Sequence, residues 1–158
     1  MGRQRNEQHT KQVETWKKKH SELSTEAMIQ LLIKAIQAVR KRSLTTLSSI
    51  TVTAVVERTL IECKEKFPEL SEVVIDTTGL NFSKFENDIQ NSNLSKAQES
   101  VQELLIDLLE VLGNITADIL TKYLYQELMT VGSGDAISDV TKSRSIPTTS
   151  LSQKRGKK

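Results

Sequence analysis

The chain has 158 residues, of which 37% are hydrophobic and only 4% aromatic, so one domain with a core of Leu, Ile and Val is expected. Its single cysteine, Cys63, excludes an internal disulfide, and no apolar run approaches the ~18 residues that a membrane-spanning helix needs. The first residues do not have the pattern of a secretory signal, and we therefore expect a cytoplasmic protein.

Charge is distributed unevenly along the chain. Residues 1–20 contain six basic and two acidic residues, and residues 141–158 contain six basic residues and no acidic one. Residues 21–140 contain ten basic and eighteen acidic residues. Basic ends therefore flank an acidic body, a layout typical either of self-screening or of contact with a polyanion.

Residues 1–20 are predicted to form a flexible basic leader or a frayed helix. Val13 and Trp16 are their only large apolar side chains among Gln, Lys, Glu and His, too few to bury much surface unaided. His9 and His20 are expected to be solvated, which makes a metal site or a phosphotransfer histidine improbable.

The main domain is predicted to span residues 21–131. Apolar residues recur at helical spacing from Leu23 to Val39, which predicts a helix over 23–42. Residues 44–67 are ambiguous, because the β-branched residues of 48–57 alternate as in a strand but also fit a broad helical stripe. The absence of Gly and Pro before Pro68 favours a helix.

An irregular or extended insertion is predicted around residues 68–93. Pro68 ends the preceding helix, and the short apolar run from Val73 closes with a turn at Gly79. Residues 80–89 place apolar side chains for one short helix or an ordered loop.

The strongest helical pattern begins at Leu94. Its apolar residues follow alternating steps of three and four, the spacing of a packed helical seam: Leu94, Ala97, Val101, Leu104, Leu108, Val111 and Ile115. Gly113-Asn114 predicts a break, giving helices over 94–112 and 115–130. Residues 132–158, rich in Ser, Thr and Lys, are expected to be a disordered basic tail.

No catalytic constellation emerges from the sequence. Cys63 has no structured His as a partner, so a buried or half-buried small side chain is favoured over a nucleophile. Glu103, Asp107 and Glu110 fall on one helical face opposite the leucines, which favours a solvated acidic face over an acid/base pair. The glycines do not have phosphate-loop spacing. We therefore predict a non-enzymatic protein without cofactor or metal.

Two sets of residues are candidates for contacts. The leucine seam is wider than one neighbouring helix normally covers, so it is a candidate interface as well as a core: Val101, Leu104, Leu105, Leu108, Leu109 and Leu112. Basic residues at the ends are candidates for weak contact with nucleic acid or an acidic surface: Lys17, Lys18, Lys19, Lys154, Arg155, Lys157 and Lys158.

The expected architecture is mainly α, a compact four-helix bundle with the insertion at 68–93 and disordered basic termini. The favoured function is a protein-protein interaction module, a small cytosolic signalling or regulatory adaptor that forms a homo-oligomer through residues 94–130. The alternatives are a nucleic-acid-associated protein using its basic tails and a sensor that binds a small apolar ligand inside the bundle.

Overall fold

The computed structural model describes residues 2–76, 79–88 and 93–132 and confirms the mainly α fold. Its elements, in chain order, are α1 (Gly2–Lys18), α2 (Thr25–Ser43), α3 (Ser49–Lys66), a 3₁₀ helix (Pro68–Glu72), β1 (Val74–Asp76), β2 (Gly79–Asn81), α4 (Ser83–Asp88), α5 (Leu94–Ile115) and α6 (Thr121–Thr130). Within the described ranges, none of the helices combines the length and the apolarity needed to cross a membrane.

Helix α3 resolves the ambiguous segment in favour of the helix. The Ser48 side chain caps its first turn by accepting a hydrogen bond of 3.2 Å from the backbone N–H of Thr51. Val52, Val56 and Leu60 then share one buried stripe, which packs towards α5. The helix ends at Lys66 because Phe67 precedes a proline and adopts an extended backbone.

The insertion contains a two-stranded antiparallel hairpin followed by the short helix α4. Strand β1 coincides with the predicted extended run, and Asp76 pairs with Gly79 at the end of the ladder. Gly79 has a φ of +115°, and a Cβ at this position would lie 2.9 Å from Arg40 of α2. Glycine is therefore favoured there by the backbone conformation, whereas the Arg40 guanidinium is the end of a flexible side chain and can move aside.

Helix α5 is the centre of the fold and packs against α1, α2, α3, α6 and the 3₁₀ helix. The Asn93 side chain caps it by accepting hydrogen bonds from the backbone N–H groups of Ser95 and Lys96, at 3.0 and 3.2 Å. The helix continues through the predicted break at Gly113-Asn114 and ends at Ile115. The break lies instead at residues 116–120.

The end of α5 has the hydrogen bonds of a Schellman motif. The N–H of Asp118 donates to the carbonyl of Gly113 at 2.7 Å, and that of Ala117 donates to Asn114 at 3.3 Å. Ala117 and Asp118 both have positive φ, 53° and 65°. Ala117 thus occupies the left-handed position at which glycine is usual.

Most of residues 1–20, predicted to be a flexible leader or a frayed helix, form helix α1, which buries one face against the rest of the chain. Its face of His9, Val13 and Trp16 is fully inaccessible to solvent, and His20, in the turn after the helix, is 9% exposed. The Trp16 Nε1–H donates a hydrogen bond of 3.0 Å to the carbonyl of Val131 beyond α6. Contacts with α5 and α6 thus make α1 part of the domain.

Candidate functional site

A cluster of ionisable side chains lies between α3 and α5. The Cys63 thiol donates a hydrogen bond of 3.2 Å to Oδ2 of Asp107, and Lys66 Nζ lies 3.9 Å from the same oxygen. Glu103, one turn earlier on α5, shares a hydrogen bond with Asp107. Helical spacing on α5 and on α3 explains this meeting, because residues three and four apart project from the same face of a helix.

Burial changes the ionisation of this cluster. It raises the pKa of Glu103 to about 7, and the charge of Asp107 and the hydrogen bond to it act in the same direction. Burial, followed by the charge of Asp107, also raises the pKa of Cys63 well above its usual value. Glu103 can therefore exchange a proton near neutral pH, whereas Cys63 stays a protonated thiol and a poor nucleophile.

The acidic face differs from the solvated surface that the sequence predicts. Glu103, Asp107 and Glu110 are each only partly exposed, and the side chain of Asp107 retains 19% of its accessible surface. The face is less exposed than predicted because α3 contacts it through the hydrogen bond from Cys63 to Asp107. The prediction that Cys63 is buried is confirmed.

A second polar cluster surrounds the turn between α5 and α6. The His9 Nδ1 and the Tyr125 hydroxyl oxygen lie 2.7 Å apart, and the Thr121 hydroxyl donates to Asp118 Oδ1 at 2.9 Å. A Cβ at Gly113 would lie 2.9 Å from these same oxygens of Asp118 and Thr121, so the glycine provides room for the pair. Burial, and then the charge of Asp118, raises the pKa of Tyr125 to about 12.

The predicted solvation of the two histidines was wrong. His9 is fully buried, and His20 packs edge-on against Trp16 with only 9% of its surface exposed. Both histidines face the core because each lies four residues from the Val13 and Trp16 stripe, His9 before Val13 and His20 after Trp16. Among the described residues, no group of three or more His, Cys, Asp and Glu side chains is arranged to hold a metal ion.

The leucine seam lies in the core of the single chain. All six of its side chains are at most 1% exposed, namely Val101, Leu104, Leu105, Leu108, Leu109 and Leu112. Helix α1 and the 3₁₀ helix pack against α5 in addition to α2, α3 and α6. The seam is therefore not exposed on the described surface of this chain, and an interface through residues 94–130 requires other side chains.

The structure describes three of the seven candidate basic residues. Lys18 and Lys19 are exposed at the end of α1, whereas Lys17 Nζ donates a hydrogen bond to Gln102 Oε1 of α5. These lysines thus stand at a helix end rather than in a leader. The remaining four lie outside the described residues: Lys154, Arg155, Lys157 and Lys158.

Sequence reasoning missed an apolar surface on α3 and at the end of α5. Ile50, Ile61, Ile115 and Ile119 expose 81%, 53%, 48% and 70% of their surfaces. A groove of about 470 Å³ runs between the two helices, and apolar side chains of both helices, including Ile115, line it. The isoleucines at 50 and 61 could have been found as a second stripe on α3, separate from the stripe that includes Val52 and Leu60.

Comparisons with protein-family models, with curated proteins and with solved structures find no match for this chain.

Proposed function

We propose that this protein is a non-enzymatic protein-protein interaction module, a small regulatory adaptor that self-associates. The observation that supports this most strongly is the apolar surface formed by α3 and the end of α5. Isolated apolar residues are common on protein surfaces, but four exposed isoleucines on α3, at the end of α5 and in the turn after it, one of them beside a groove, are typical of a contact surface. Ile115 and Ala54 border the same groove.

The difference between exposed and buried apolar residues in the 94–130 region indicates where the contact lies. Ile115 and Ile119 belong to the 94–130 region and are exposed, whereas the leucine seam of the same region is covered. The contact therefore involves the end of α5, the turn after it and the adjoining surface of α3. Their burial in a dimer would remove apolar surface from water, which is the main favourable term in association.

The ionisable clusters support the same proposal. Cys63 is buried and protonated, so a nucleophilic mechanism has no support from the one thiol of the chain. Glu103 and Asp107 interact through a hydrogen bond and through their charges, and Lys66 lies within ion-pair distance of Asp107. This arrangement is accounted for by packing between α3 and α5.

The test is sedimentation velocity over a wide range of protein concentration. The wild type is expected to form a reversible dimer, and the variant Ile115→Ser/Ile119→Ser is expected to shift the equilibrium at least tenfold towards monomer. Val74→Ser is the matched control, because Val74 is also half exposed but lies in the hairpin. A wild type that remains monomeric at every concentration would overturn the proposal.

A further inference from the structure

Asp107 joins α5 to the end of α3. Its Oδ2 accepts the hydrogen bond of 3.2 Å from the Cys63 thiol, and Lys66 Nζ lies 3.9 Å from the same oxygen. Glu103, one turn earlier on α5, shares a hydrogen bond with the same carboxyl group. The polar contacts of two residues of α3 therefore depend on one carboxylate, and that carboxylate has a second acidic group beside it.

The hydrogen bond between these two carboxyl groups requires a proton. An ionised carboxylate has only acceptors, so one of two hydrogen-bonded carboxyl groups must be protonated. Glu103 carries this proton, because burial and the charge of Asp107 raise the pKa of Glu103 to about 7. When the proton leaves, the hydrogen bond is lost and two neighbouring carboxylates repel each other. The contact is therefore sensitive to pH near neutrality.

The charges around Glu103 come from three helices. Burial opposes its ionisation most strongly; on α5, Asp107 and, more weakly, Glu99 act in the same direction, whereas Lys66 of α3 favours ionisation. Lys66 is 59% exposed, so solvent screens its attraction. Lys17 of α1 lines the same surface groove as Glu103, but its Nζ already donates a hydrogen bond to a glutamine of α5. The protonated form is therefore favoured while α3 is in place.

Helix α3 buries a smaller part of its length than its neighbour α2. Five of the 18 residues of α3 are buried, against nine of the 19 residues of α2. One of the five is Thr59, whose buried hydroxyl has no hydrogen-bond partner in the part of the chain that the structure describes. Elements with few buried apolar contacts are the ones that open locally at low cost. The end of α3 is thus a segment that a change at Asp107 can release.

We propose that Glu103 and Asp107 form a proton-controlled latch, which holds the end of α3 against α5 while Glu103 is protonated and releases it when Glu103 ionises. Release admits water to both carboxylates, which relieves their repulsion, and it exposes the Cys63 thiol. The closed form retains a proton that the open form has lost at neutral pH. Opening is therefore favoured as the pH rises through about 7.

The latch adjoins the apolar groove between α3 and α5. Thr59 of α3 and Val111 of α5 both line that groove. Thr59 lies about one turn before Cys63, and Val111 lies about one turn after Asp107. Release of the end of α3 therefore changes the walls of the groove, which connects the protonation of Glu103 to the shape of the surface nearby.

The accessibility of the Cys63 thiol measures the latch. Cys63 is the only cysteine of the chain, and it is buried. The full chain is labelled with a low concentration of iodoacetamide between pH 6 and pH 8.5. Each rate is divided by the rate for the urea-unfolded chain at the same pH, which removes the ordinary titration of the thiol. This protection of Cys63 is expected to fall about tenfold over the range, since screening leaves only part of the coupling to Glu103.

Glu103→Gln should remove the effect of pH, because glutamine can donate the hydrogen bond to Asp107 at every pH. Protection of Cys63 in this variant is expected to change less than about twofold between pH 6 and pH 8.5. Glu65→Gln is the matched control, since it removes a carboxylate close to Cys63 in the sequence at an exposed position of α3. The control should lose protection as the wild type does. Equal loss in the wild type and in Glu103→Gln would overturn the latch.

The dependence on urea separates the latch from global unfolding. At pH 8.5, labelling of Cys63 in the wild type should be nearly independent of urea below the unfolding transition, because a local opening exposes little surface. A steep dependence on urea would mean that Cys63 is reached only when the whole domain unfolds. That result would also overturn the latch.

Discussion

Replacing Glu103 by glutamine should make the protein more stable at alkaline pH and leave its stability at acid pH nearly unchanged. In the folded protein, burial and Asp107 favour the protonated form of Glu103. Glutamine has nearly the same shape and can still donate a hydrogen bond to the Asp107 carboxylate, but it carries no charge to be buried. The substitution therefore isolates the cost of ionising this side chain.

The magnitude follows from the difference between the pKa values of the folded and unfolded chains. The pKa of Glu103 rises from 4.5 to about 7 on folding. Because the folded state then binds more protons, the contribution of Glu103 to stability is most favourable below pH 4.5 and is lost as the pH rises through 7. Without solvent screening, ionising Glu103 in the folded protein costs about 3 kcal/mol more than in the unfolded chain. Glu103 is only half buried, so solvent screening reduces it to about 1 to 2 kcal/mol.

Urea unfolding followed by circular dichroism at several pH values between 4.5 and 8 measures this effect. The increase in the free energy of unfolding caused by Glu103→Gln should be close to zero at pH 4.5 and should reach its full value by pH 8. Glu65→Gln, at an exposed position of α3, is the control and should show no such growth. A gain for Glu103→Gln that is the same at every pH would refute the reasoning.

Three further substitutions test individual features of the fold by equilibrium unfolding. Trp16→Ala should destabilise the protein by about 3 to 5 kcal/mol through a cavity and a lost hydrogen bond to Val131, whereas a change near zero would mean that α1 is not part of the core. Ala117→Gly should stabilise it by about 1 kcal/mol, since φ is 53° there, and a loss would contradict this strain. Thr59→Val should also stabilise the protein by about 1 kcal/mol, because the buried Thr59 hydroxyl has no hydrogen-bond partner among the described residues. If the valine variant is less stable than the wild type, the hydroxyl is not unpaired.

Periodicity was sufficient to predict the helices that dominate the core. Helices α2 and α5 have long apolar stripes at steps of three and four, and such stripes are seldom formed by another kind of element. The serine cap at Ser24 and the asparagine cap at Asn93 lie next to these stripes. Local chemistry and burial pattern agree in these segments, which explains why the prediction succeeded.

The burial of α1 could not be predicted with the same success, because its buried face contains His9 and continues to His20 in the turn after the helix. His9, Val13, Trp16 and His20 follow steps of four, three and four, a complete helical stripe that is concealed when histidine is counted as polar. The buried imidazole of His9 is compatible with the core because the hydroxyl of Tyr125 lies beside it. Tyr125 is distant in sequence, and no local pattern identifies it as a partner.

The sequence alone determined the fold class, the main helices and the separation of charge, because these depend on residues that are close together in the chain. The tertiary structure decided which apolar surface remains exposed. The leucine seam and the isoleucines of α3 look alike as patterns, but the elements packed around α5 bury the seam, whereas Ile50 and Ile61 stay exposed. Exposure depends on the whole arrangement of helices, so only that arrangement moves the candidate interface from the seam to Ile50, Ile61 and Ile115.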